Sequence, residues 1–125
     1  MAQRRMISSG SDYESLVGYS RAVRTGPYIA VAGTTAAGDG VAAQAREALR
    51  RIEIALQQAG GTLADVVRTR MYVTDISLWQ EAGAVHAEVF GEIRPVTTMV
   101  EVSALISPDL LVEIEVDAYL ERPDS

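Results

Sequence analysis

Two successive alternating runs near the C-terminus constrain this chain more than any other stretch. Residues 94–120 read RPVTTMVEVSALISPDLLVEIEVDAYL. Over 97–102, Thr98, Val100 and Val102 alternate with Thr97, Met99 and Glu101. Over 111–120, Val112, Ile114, Val116 and Ala118 alternate with Glu113, Glu115, Asp117 and Tyr119. A period of two marks half-buried strands, because successive side chains leave opposite faces of a sheet. The apolar face is assigned to the core. The carboxylate face is either a solvated surface or the lining of a cleft or subunit interface, where carboxylates bind, orient or activate a ligand. Residue types alone leave both open.

At 125 residues the chain is expected to form a single domain, large enough for a real core. Its formal charge of −6 disfavours loose binding to nucleic acid, which needs clustered cations to displace counterions, and docking on anionic membranes. Arg supplies every positive side chain, since Lys does not occur. With no Cys there are no disulfides, thiol nucleophiles or thiolate metal sites, and a single His excludes a multi-His zinc site. No cofactor or metal is expected. No apolar run reaches the ~18 residues needed to span a bilayer, and no apolar segment follows the basic N-terminus, so a cytoplasmic protein is expected.

Residues 1–15 read as a flexible arm with a short strand near Arg5–Ile7, residues 16–120 as one domain, and residues 121–125 as a tail. A hairpin is predicted from 18–24 and 28–33 around the turn Thr25-Gly26-Pro27. The glycines of 33–40 fit no phosphate-loop spacing. Ala45, Ala48, Leu49, Ile52, Leu56 and Ala59 form the apolar stripe of a helix over 41–59, closed by Gly60 as a left-handed cap. Thr62 and Asp65 suit one capped turn. Residues 66–73 alternate Val67, Thr69, Met71 and Val73 with Arg68, Arg70 and Tyr72. Ser77 and Gln80 suit a capping box for a second helix, with Trp79, Ala82, Val85, His86, Val89 and Phe90 on its packed stripe. Trp79 and His86 are both read there as packing residues.

The order β-β-α-β-α-β-β predicts a two-layer α+β fold with a mixed sheet and both helices on one face. The other face carries apolar and aromatic residues among its charges, so association through it is expected.

This order resembles the chorismate mutase-like fold of the Rid family (also called YjgF, or endoribonuclease L-PSP). The resemblance covers residues 16–120 and is carried by Gly18-Tyr19, Val31-Ala32-Gly33, Ala43-Gln44-Ala45-Arg46, Asp65-Val66-Val67-Arg68-Thr69, Tyr72-Val73-Thr74-Asp75, Pro95, Val100-Glu101-Val102 and Val112-Glu113-Ile114-Glu115. It implies a homotrimer with small-molecule clefts between subunits, and hydrolysis of reactive enamines and imines to 2-keto acids and ammonia. Carried over by position, it implies Glu113 as the water-positioning residue or base, and Tyr19, Gly33 and Thr34 as pocket residues. The Arg that holds the substrate carboxylate in that family falls on Thr97, the Ser-Cys after it on Thr98-Met99, and a cleft Asn on Gly83. A Thr hydroxyl cannot replace a charge-assisted two-pronged contact, so deamination of ordinary 2-imino acids is not expected. Thr97 and Thr98 are then hydrogen-bonding candidates, and Arg94, Arg68 and Arg70 alternative sources of charge. Three readings follow: a divergent imine or enamine hydrolase, a non-catalytic metabolite- or partner-binding trimer, and, against the charge, an endoribonuclease.

Overall fold

A computed structural model describes residues 3–121. Its elements are β1 (Arg4–Ile7), α1 (Asp12–Val17), β2 (Ala22–Thr25), β3 (Tyr28–Thr34), α2 (Val41–Gln58), β4 (Val66–Val73), α3 (Trp79–Phe90), β5 (Val96–Glu101) and β6 (Val112–Tyr119). One mixed sheet runs β1-β2-β3-β6-β4-β5, antiparallel except between β4 and β5. The α+β architecture is the expected one. Among the described residues no helix is long and apolar enough to cross a membrane.

The core lies between one sheet face and α2 with α3. Val112, Ile114, Val116 and Ala118 of β6, Met71 and Val73 of β4, and Ile29 and Val31 of β3 are buried there. The α2 stripe of Ala45, Ala48, Leu49, Ile52 and Leu56 packs on them. Each fully buried Leu or Ile contributes about 1.5–3 kcal/mol. Gly60 takes φ +93° just past α2, as its place after the stripe requires. Thr62 and Asp65 form the expected capping box around a single 3-10 turn.

Several expectations are corrected. The expected short strand near Arg5–Ile7 is β1, which pairs with β2, but a helix the sequence reading lacks, α1, runs across the end of the expected 1–15 arm between a Ser11 side-chain cap and Gly18 at φ +90°. The first hairpin strand therefore begins at Ala22, because Gly18 terminates a helix instead of opening a strand. In β4 the register shifts between Val66 and Arg68. This bulge buries Val66 and turns Val67 outward, reversing the expected parity at that end. In β5 it is Met99, on the face shared with Thr97, that packs toward the core, while Val96 and Val100 are exposed. Trp79 is 53% exposed. Asp75, not Ser77, caps the second helical segment, accepting from the Ser77 amide at 3.0 Å and its hydroxyl at 2.7 Å ahead of a 3-10 turn. Of the expected 121–125 tail, residues 122–125 lie outside the described residues.

Candidate functional site

β3 carries an irregularity between Val31 and Thr34 where it pairs with β6. On β6, Glu113 leaves the face opposite the core and reaches this bulge. Its carboxylate lies against Gly33, so close that a Cβ on residue 33 would stand 2.0 Å from Oε2. Only glycine leaves room for that approach. A cavity of about 980 Å³ opens here, and its lining includes Tyr19, Gly33, Thr34 and Glu113. Four of the residues singled out from sequence thus meet in one place.

Two ties shape the cavity walls. Glu14 of α1 is buried. It accepts hydrogen bonds from the Ser8 hydroxyl at 2.9 Å and from the Ser9 amide and hydroxyl at 3.1 and 2.5 Å. The Ser9 hydroxyl is the main reason its carboxyl titrates below the usual range. This clasp shapes residues 8–11, which line one wall. On α2, Gln44 is buried and bridges two loops. It donates to the carbonyls of Gly38 and Asp109 and accepts from the Leu111 amide at 2.8 Å. The loop it holds carries Ile106 to the cavity.

Glu113 is half-buried, and among the described residues its carboxylate has no hydrogen-bond partner. Burial, then the nearby Glu115 charge, push its carboxyl above the usual range, with Arg21 opposing. Such a group accepts a proton more readily than an ordinary carboxylate, which suits a base working on water.

Arg21 was not singled out from the sequence. It lines the cavity, with one guanidinium nitrogen bonded to the Gly33 carbonyl at 3.1 Å and the Thr34 hydroxyl at 2.8 Å. Its guanidinium carbon sits 5.9 Å from the Tyr19 ring centroid. Its signal in sequence was proximity to Tyr19, which says nothing until the bulge places residues 32–34 beside it.

Thr97, Thr98 and Arg94 do not line this cavity. Thr97 pairs in register with Thr69, whose side chain is buried on the core side, whereas Glu113 pairs with Tyr72 on the opposite face. Within one chain Thr97 and Glu113 therefore leave opposite faces of the sheet. Thr97 instead joins a cluster with His86 of α3. The Thr69 hydroxyl lies 2.9 Å from His86 Nε2 and 2.9 Å from the Thr97 hydroxyl, which is itself 3.3 Å from the same nitrogen. His86 is thus a packed histidine with fixed partners, which sequence could not name, and burial lowers its pKa. Thr98 is exposed beside Arg70. Arg94 is exposed, takes φ +60°, and closes α3 through its Nε to the Gly91 carbonyl and its amide to the Phe90 carbonyl. Arg70 and Arg68 approach Asp117 of the same chain at 3.4 and 3.9 Å. Tyr28 donates to that carboxylate at 3.2 Å, and Tyr72 donates to Glu115. The acidic face of β6 is therefore met by basic and phenolic groups of its own chain, except at Glu113. Among the described residues no group of carboxylates and His could hold a metal ion.

Fold and site together define a class: a small α+β protein with a mixed sheet, helices over one face, and a cavity served by a half-buried carboxyl at a strand bulge. The chain belongs to the Endoribonuclease L-PSP family, the Rid or YjgF family, which it matches over residues 10–120. It is similar to the structure of Rv2704 from Mycobacterium tuberculosis, described as a member of the YjgF/YER057c/UK114 family. The identity is 73%, with a TM-score of 0.93, over 94% of this chain and 100% of that one. It is 36% identical to the RutC family protein PH0854 of Pyrococcus horikoshii over 82% of this chain and 87% of the relative. It is 38% identical to the 3-aminoacrylate deaminase RutC of Acinetobacter baylyi over 63% of this chain and 62% of the relative.

Proposed function

We propose that the protein hydrolyses a small imine- or enamine-type metabolite in the Glu113 cavity, working as a homotrimer. The observation that carries this is the half-buried Glu113 carboxyl, unpartnered among the described residues and raised in pKa, held over Gly33 in a cavity that also holds Tyr19 and Thr34. Glu113 takes a proton from water as its oxygen bonds to the C=N carbon and passes that proton to nitrogen, giving a carbinolamine. The hydroxyl proton then moves to nitrogen by way of the Glu113 carboxylate, the C–N bond breaks, and ammonia leaves as the C=O forms. An enamine reaches the same path after protonation at carbon. The relative named 3-aminoacrylate deaminase, an enamine-consuming activity by its name, supports the reaction class.

The trimer reading draws support from the uncovered sheet face, where Val67, Val96, Val100 and Tyr119 are exposed. Because Thr97 and Glu113 leave opposite faces of one sheet, only a neighbouring copy can bring a Thr97 to a Glu113. The test is an imine generated in situ by an amino-acid oxidase, with ammonia release followed for wild type, Glu113→Gln and Thr97→Arg. Acceleration by wild type and none by Glu113→Gln supports the hydrolase. A gain in Thr97→Arg supports a cleft shared between subunits.

Thr97 at the position of the family's carboxylate-binding Arg favours a second reading, a trimer that binds a metabolite without turnover. Saturable binding with no ammonia release from any imine would establish it. Against the endoribonuclease reading stand the charge of −6 and a His occupied by two threonine hydroxyls. RNA cleavage by wild type and not by Glu113→Ala would revive it.

A further inference from the structure

The lining of the Glu113 cavity carries two Arg side chains, Arg21 and Arg51, and one carboxylate, Glu113, in an acidic protein whose formal charge is −6. Arg51 is committed: its Nε lies 3.1 Å from Glu47 and its Nη1 donates to the Thr35 carbonyl. Arg21 is not. All the hydrogen bonds its side chain makes to described residues leave from Nη1, to Thr34 Oγ1 and the carbonyls of Gly33 and Ala32. Among the described residues its Nε and Nη2 have no partner, and no carboxylate lies within ion-pair distance of it. The three Nη1 bonds and the Tyr19 ring, 5.9 Å away, hold the guanidinium in place. Three aliphatic side chains of the same lining stay exposed: Val17 at 70%, Ile54 at 40% and Ile106 at 66%.

We propose that Arg21 is the anion anchor of this cavity, and that its ligand is a small organic monocarboxylate with an apolar substituent. The carboxylate sits on the Nε and Nη2 edge of Arg21, a planar fork that matches two carboxylate oxygens. The substituent lies along Val17, Ile54 and Ile106. Arg21 thereby supplies, from the same chain as Glu113, the cation that position 97 lacks. The inference rests on the Glu113 cavity being the ligand site.

The probes are 4-methyl-2-oxopentanoate and its uncharged amide, titrated calorimetrically into wild type, Arg21→Gln and Glu113→Gln. Wild type is expected to bind the acid roughly 30-fold or more tightly than the amide, the size of a lost charge-assisted contact. Arg21→Gln should abolish that preference, and Glu113→Gln should keep it while losing turnover. Ile54→Ser should weaken this acid more than 2-oxopropanoate, which has no branched tail. Equal binding of acid and amide by wild type overturns the proposal, as does an undiminished preference in a folded Arg21→Gln or no binding of either probe. If Arg21→Gln does not fold, the acid-to-amide ratio of wild type decides. An Arg21-dependent preference without turnover of any imine sinks the hydrolase and leaves the anchor standing. Turnover confined to uncharged imines sinks the anchor and leaves the hydrolase standing.

Discussion

Gly33 lies directly beneath the carboxylate of Glu113, with room for a hydrogen and not for a methyl group: a Cβ there would be 2.0 Å from Oε2 and 2.9 Å from Cδ. The obstructing atoms are the end of a flexible side chain, so Gly33→Ala moves the carboxylate and spares the backbone. Displacing a catalytic group by about 1 Å costs on the order of 100-fold in rate. Gly33→Ala should keep a cooperative thermal melt near that of wild type while kcat/KM for imine hydrolysis falls by about that factor. A variant with unchanged kcat/KM would show that Glu113 does not act from this position.

Glu113 also sets a pH signature. Its carboxyl is raised in the folded state, so the folded protein binds more protons than the unfolded chain between the ordinary value of 4.5 and the raised one. Stability is then lost as pH rises through that window. Glu113→Gln removes the penalty. Its unfolding free energy relative to wild type should climb from pH 4.5 upward and level off above the folded pKa. Denaturant titrations of both proteins across pH 4–8 measure this. Hydrolysis should show an acid limb in the same window, because the base must be ionised.

His86 is the only histidine in the chain, so its ring signals report one site. Burial against α3 and β4 lowers its pKa below 6.5, and it faces the hydroxyls of Thr69 and Thr97. Between the lowered value and 6.5 the unfolded chain binds more protons, so stability present above pH 6.5 is lost as pH falls through the folded pKa. An NMR titration should place the His86 midpoint below 6.5 in folded protein. A midpoint at or above 6.5 would contradict the buried cluster.

Gln44 is a buried polar side chain with both ends satisfied. Truncation strands the Leu111 amide and the Gly38 and Asp109 carbonyls. Gln44→Ala should destabilise the fold by about 1–3 kcal/mol, the cost of leaving buried groups unpaired. Urea unfolding measures it, and faster amide exchange at Leu111 would localise the loss.

What could be read from the chain followed from strict period. Glu113 and its apolar neighbours on β6, the α2 stripe and the Thr62–Asp65 cap were legible because each is a local pattern with one geometric meaning. α1 was missed, though Ser11 and Gly18 bracket it in the manner of helix caps, because six residues carry too little periodicity to be seen. Val67 and Trp79 were placed inward by alternation and by stripe. A bulge turned the first outward, and the second stands in the opening turn of α3, where the core no longer covers it.

The sequence by itself determined the family, the α+β class and the strand that bears Glu113, since backbone period and residue order are properties of the chain. Only the tertiary structure decided which of the candidate residues share a site. The β3 bulge brings Tyr19, Arg21, Gly33 and Glu113 together across nearly a hundred residues of chain. Strand register sends Thr97 to the other face and into the His86 cluster. Register and bulges arise from packing between distant segments, and no local pattern encodes them.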